Sequence, residues 1–175
     1  MDRGYIYLNK KSFLHNIEVL KNLSRKELCL VVKANSYGHG LDWAVKNAKE
    51  SGVKWFAVAS VDEGMQVKKV YEESRVLLLA EPSITQLENV KGNNIDLTVY
   101  NENFIDALIE TGDEFSVHLK IDTGMHRLGC PPEKFYDLYK KIVDSNLTLI
   151  GICTHFPMAD TDEKKKKKSI ELFEK

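Results

Sequence analysis

Residues 28–40 read LCLVVKANSYGHG, and this stretch decides between two α/β architectures. Its first five residues form an apolar, β-rich run, and Lys33 closes that run ahead of a loop with glycines at 38 and 40. A doubly wound nucleotide-binding sheet carries a GxGxxG loop after its first strand, whereas residues 34–40, ANSYGHG, lack that spacing. The reading therefore favours a (β/α)8 barrel of the TIM type.

The same rhythm repeats downstream. Five more apolar runs follow: WFAVA at 55–59, VLLL at 76–79, IDLTV at 95–99, VHLKI at 117–121 and LTLIGIC at 147–153. Apolar residues three or four apart predict helices between them, over 42–50, 61–71, 84–90, 102–110 and 133–143. Parallel strands need crossovers of this kind, and near-continuous apolar strands need cover on both faces. Upstream, residues 5–8 predict an extra strand, and residues 12–23 a helix with Phe13, Ile17, Leu20 and Leu23 as its apolar stripe.

Six strands are fewer than the eight of a closed barrel. The expectation is one incomplete barrel domain over residues 1–175, with unpaired strand edges that predict self-association of the isolated chain. Lys plus Arg (25) nearly balance Asp plus Glu (26), so no global charge attracts nucleic acid or anionic lipid, and a small-molecule substrate is expected. No apolar stretch approaches the roughly 20 residues that span a bilayer. Cys29, Cys130 and Cys153 are odd in number and have no metal-ligand spacing, which fits a reducing cytoplasm and no metal. The lysines of 164–168 read as a solvated helix face after Asp160 and Asp162.

In a barrel, catalytic groups sit at the C-terminal ends of strands, which directs attention to three places. Alternation puts Cys29, Val31 and Lys33 on one face, and a lysine on a buried face has its pKa lowered toward Schiff-base chemistry; the alternative is a lysine that snorkels to solvent. The stretch KIDTGMHRLG at 120–129 holds Arg127 as a planar five-donor fork suited to a carboxylate, a phosphate or a cofactor oxygen. Lys120 shares a strand face with His118 and Asp122, and two buried cations require a neutralising partner. His155 follows LIGIC and is open to a base, a ring-stacking or a core role. His15 reads as partly exposed packing, His39 as loop-shaping, and Cys153 as a buried, inert strand residue.

With those residues in place, a family resemblance emerges. VVKANSYGHG at 31–40 resembles the cofactor-lysine motif of the alanine racemases, fold type III enzymes that use pyridoxal 5′-phosphate. HLKIDTGMHRLG at 118–129, THF at 154–156 and WFAVASVDEG at 55–64 resemble further segments of that family, in the same order. The resemblance spans this chain and about the first half of a full-length member. It implies that Lys33 is the Schiff-base lysine and one of two bases at the substrate Cα, and that Tyr37 contacts the cofactor phosphate. Arg127 would approach the cofactor phenolic oxygen and the substrate carboxylate, and His155 would lie beside the ring. Lys120 matches a lysine carbamylated in some members, which would reverse its charge. His126 stands where many members have glycine, and its side chain is expected to point out of the turn.

The implied activity is racemisation of a small amino acid, L-alanine to D-alanine, by a cytoplasmic homodimer supplying D-alanine. The family's second base and its C-terminal β domain have no counterpart in these residues, so the isolated chain is expected to be inactive. The alternatives are a serine racemase, a fold type III decarboxylase or a non-catalytic cofactor-binding module; SYGHG and DTGMHRLG favour the racemase.

Overall fold

The computed structural model describes residues 4–174. It is an α/β protein with six parallel strands: β1 (Cys29–Val31), β2 (Trp55–Val58), β3 (Arg75–Leu78), β4 (Ile95–Val99), β5 (Ser116–Lys120) and β6 (Thr148–Cys153). They alternate with helices α1 (Lys10–Ser24), α2 (Leu41–Glu50), α3 (Val61–Val70), α4 (Glu102–Glu110), α5 (Phe135–Val143) and α6 (Glu163–Phe173). All six apolar runs are strands, as six βα units of a barrel require.

Two compact units divide the chain. One runs to Leu79 and takes in Gly92–Ile95; the other comprises Ala80–Lys91 and the chain from Asp96 onward. In the first unit β1 pairs with β2 and β2 with β3, in parallel, with Leu30 opposite Phe56 and Phe56 opposite Val76. Phe56, Val58, Val76 and Leu78 are buried where β2 and β3 pack on α3, whose Val61 and Val67 are buried with them. Each such side chain contributes roughly 1.5–3 kcal/mol of burial. α3 forms where Ser60 accepts the Glu63 N–H (3.3 Å), with acids in its first turn and lysines in its last, both favourable to the helix dipole. Gly64 lets it lie close, since a Cβ there would already touch Ile95 and Val76.

In the second unit β4 pairs with β5 and β5 with β6, in parallel. Leu97, Val99, Val117 and Leu119 of the strands, Ile105 and Leu108 of α4, and Leu138 and Ile142 of α5 are all buried. Asn101 and Asp162 cap α4 and α6 by accepting N–H groups of their first turns. On α6 the lysines form the solvated face expected, all exposed except half-buried Lys166.

Four expectations need correction. Residues 5–8 are not a strand: Tyr5 is 80% exposed, and a β-prone run without a paired neighbour does not make one. The stripe of α1 is buried at Ile17 but not at Leu20 or Leu23; α1 meets α2 where Phe13 stands against Trp43, ring centroids 5.0 Å apart. Residues 84–90 form a 3-10 helix, Ile84–Asn89, started by Ser83 rather than an α-helix. The Cys29 and Val31 face of β1 is exposed, not buried, so Lys33 is half-buried.

Candidate active site

In the first unit, Lys33 follows β1 directly and opens a feature that sequence patterning does not show. Ala34, Asn35, Ser36 and Tyr37 all have φ near +53, a complete left-handed helical turn made by four residues that are not glycine. Left-handed helical geometry costs an L-residue roughly 1–2 kcal/mol, so the turn stores several kcal/mol of strain. Its bonds are those of a helix: Ser36 N–H donates to Val32 C=O (2.8 Å), and Gly38 N–H to Ala34 C=O (3.1 Å).

Side chains hold the turn at both ends. Asn35 Oδ1 accepts from Leu41 N–H (2.8 Å), and His39 Nδ1 lies 2.9 Å from Ser36 C=O, the loop-shaping role expected of His39. Ala34 N–H donates to Glu63 Oε1 (2.6 Å), and Ala59 N–H to Glu63 Oε2 (2.9 Å). Among the described residues the Lys33 amine has no ion-pair or hydrogen-bond partner. Tyr37 projects outward, 60% exposed.

The second unit carries the other candidates. Residues 121–130 form a closed loop: Cys130 N–H donates to Lys120 C=O (2.8 Å), Asp122 N–H donates to Cys130 C=O (2.9 Å), and Ile121 bridges to Cys130. Asp122 Oδ1 accepts from Gly124 N–H (2.9 Å) and His126 N–H (3.0 Å), and its Oδ2 lies 3.1 Å from the His126 ring. Desolvation alone would raise the Asp122 pKa; the His126 and Gly124 N–H groups and the imidazole outweigh it and hold the carboxyl below its usual range. This contribution to stability is present above the unfolded carboxylate pKa and is lost as pH falls through the lowered value. His126 points out of the turn, its side chain 82% exposed. Arg127 is exposed and, among the described residues, pairs with no surface acid.

Sequence reading missed a buried acid beside His118. Asp96 on β4, 1% exposed, lies 3.2 Å from His118 Nε2 on β5. A register shift on β6 brings Gly151 opposite His118, where a Cβ would stand 3.1 Å from the imidazole. The Thr98 hydroxyl, in register with His118, is buried and, among the described residues, has no hydrogen-bond partner. Lys120, half-buried at the end of β5, stands in register with Cys153. Cys153 is half-buried rather than buried, and burial raises its thiol pKa against the opposing charge of Lys120. Burial pushes the Cys130 thiol up to about 11.

Thr154, after β6, donates to Ile121 C=O (2.8 Å) and lies 2.8 Å from the Thr123 hydroxyl, which fixes the backbone beside an exposed His155. Ser169 of α6 donates to Thr123 C=O (2.9 Å). Glu81 is a further latch, one oxygen accepting from both Tyr100 N–H and Asn101 N–H at 2.8 Å. Burial raises its pKa against those two bonds.

Because the folded pKa is raised, the Glu81 contribution to stability is present below the unfolded value and lost as pH rises through the raised one. Since Oε1 alone takes both bonds, Glu81→Gln keeps them and removes the buried charge. We expect it to leave stability within about 1 kcal/mol of the parent at pH 7 and to flatten this part of the pH profile. Urea melts from pH 4 to 8 check this; a loss of several kcal/mol at pH 7 would mean the charge itself holds the latch.

Parallel βα units with Lys33, Arg127 and His155 placed after β1, β5 and β6 are the arrangement of an α/β barrel, the fold class whose functional groups lie at the C-terminal strand ends. Residues 8–175 match the family described as alanine racemase, N-terminal domain, and the chain belongs to that family. An alanine racemase of Treponema denticola is 36% identical over 166 residues, covering 89% of this chain and 44% of that relative. Among solved structures, a histidine racemase from Leuconostoc mesenteroides subsp. sake superposes with a TM-score of 0.88 at 25% identity, covering 95% of this chain and 47% of that one. An alanine racemase from E. faecalis gives 0.86 at 28%, covering 95% and 48%. The chain thus spans about half the length of the relatives it matches.

Pyridoxal 5′-phosphate, the cofactor of that family, needs an accessible primary amine held at a fixed backbone position. The residues present fit it, since Lys33 has an unpartnered amine at the head of a strained, tethered turn. Among the described residues no cluster of potential ligands could hold a metal ion, and no helix is long and apolar enough to cross a membrane.

Proposed function

We propose that the protein racemises a small amino acid, with L-alanine as substrate, using pyridoxal 5′-phosphate. The observation that carries this is the unpartnered amine of Lys33 at the end of β1, ahead of the left-handed turn. Bound there, the cofactor supplies an electron sink for negative charge at the substrate Cα. Lys33 holds the cofactor and moves the Cα proton as one of two bases. Arg127, whose fork is not occupied by a neighbouring acid, holds the substrate carboxylate and the cofactor phenolic oxygen. The Tyr37 hydroxyl serves the cofactor phosphate, His155 the ring, and Lys120 supports Arg127.

Residues 1–175 are, in this reading, the first part of the cofactor-binding barrel domain. The complete protein is a cytoplasmic homodimer that supplies D-alanine, and its second base comes from outside these residues. The alanine specificity rests on the curated relatives; the neighbouring histidine racemase shares the fold and the amino-acid racemase chemistry.

The test is Cα–H exchange of L-alanine in deuterium oxide by the protein as its cells make it. D-alanine should form with deuterium at Cα. Arg127→Lys, which keeps the charge and loses the planar fork, should lower kcat/KM by about 100-fold. No exchange, or an unchanged kcat/KM in Arg127→Lys, contradicts the assignment.

A further inference from the structure

We propose that Glu63 is a positioning residue for Lys33, and that its carboxylate sets the backbone from which the lysine acts. The inference rests on the reading of Lys33 as the cofactor lysine. Ser60 and Glu63 stand in the S-x-x-E pattern of a capping box, in which the glutamate normally turns back to the N–H of the capping serine. Here the serine keeps its half, accepting the Glu63 N–H at 3.3 Å. The glutamate does not: one oxygen takes Ala59 N–H at the end of β2 and the other takes Ala34 N–H, 29 residues away, at 2.6 Å.

Helix capping alone does not require that reach. The Ala34 N–H belongs to the peptide that joins Lys33 to the left-handed turn, and Ala34 is the first residue of that turn with positive φ. Holding this peptide fixes ψ of Lys33 and opposes relaxation of the strained turn into ordinary geometry. Both oxygens are occupied, so glutamine cannot substitute: its amide would present a donor to one of two N–H groups. Aspartate keeps the charge but is one methylene shorter.

The test compares the unaltered chain with Glu63→Gln and Ser60→Ala. Each is incubated with pyridoxal 5′-phosphate, reduced with borohydride and peptide-mapped for the rate of adduct formation on Lys33. Amide hydrogen exchange is read at Ala34, Ala59 and, as a fold control, Phe56. Glu63→Gln should keep Phe56 protected, lose protection at Ala34 and label Lys33 about tenfold more slowly or worse. Ser60→Ala, which weakens the helix cap but leaves the carboxylate, should label at the parental rate.

Parental protection of Ala34 in Glu63→Gln overturns the proposal, as does equal slowing in both variants at matched melting temperature. Should Glu63→Gln fail the Phe56 control, Glu63→Asp is read in its place by the same two criteria. If the unaltered chain does not label Lys33, the cofactor role of Lys33 fails and so does positioning for it. The Ala34 exchange result then stands separately as evidence on the clamp.

Discussion

Gly129→Ala is expected to destabilise the fold by about 3 kcal/mol or more, the largest loss from adding a single methyl group in the loop that carries Arg127. Gly129 has φ +131, a conformation closed to alanine without strain, and a Cβ there would stand 2.6 Å from Asp122 N and 2.7 Å from Ile121 C. Both are backbone atoms in the bonded neck of the loop, where Asp122 N–H meets Cys130 C=O at 2.9 Å, so neither can yield without opening it. Gly112 is the fair comparison. It also has positive φ (+72), but nothing lies within 4 Å of its added Cβ, so Gly112→Ala should cost only about 1 kcal/mol. Urea denaturation of both variants separates strain from collision; equal losses would mean that the neck of the loop is not closed as described.

Strands were readable from sequence because each is a short apolar run set between turns and helical spacing; β4 was predicted at its observed bounds, Ile95–Val99. Residues 5–8 have the same local pattern and no partner strand, and pattern without pairing misleads. The left-handed turn was not legible, because its strain falls on Ala34 to Tyr37 while the glycines that suggest unusual backbone lie after it, at 38 and 40. Bonds from Glu63, Asn35, His39 and Val32 surround the turn and oppose its relaxation.

The candidate site divides the same way. Lys33, Arg127 and His155 were found because they sit at strand ends within recognisable motifs. Asp96 was hidden inside an apolar run, where its contact with the His118 ring at 3.2 Å exists only once β4 and β5 are in register. Glu63 had a local signal, the S-x-x-E pattern, but that signal predicts a bond within its own helix rather than to the turn after β1. Partners that are backbone N–H groups of distant residues leave no trace in composition or spacing.

Lys33→Ala is expected to have the other large effect. The chain has many lysines, and those of α6 are mostly exposed, so accessibility alone would direct an aldehyde to them. Several of the others are engaged: Lys141 with Glu102 and Asp106 at 2.8 Å, Lys91 with Asp113, Lys166 with Glu163. An ion-paired amine is held protonated, and for Lys91 and Lys141 the hydrogen-bonding carboxylates raise the pKa further. Lys33 differs by position: its amine is half-buried, unpartnered and delivered by a fixed backbone. Replacing it should remove the specific cofactor adduct entirely, a larger change than any neighbouring substitution produces. The decisive measurement is peptide mapping by mass spectrometry after pyridoxal 5′-phosphate and borohydride, at cofactor equimolar with protein. The adduct should fall on Lys33 and disappear in Lys33→Ala; an adduct on Lys120 or within Lys164–Lys168, unchanged by Lys33→Ala, would contradict the assignment of Lys33.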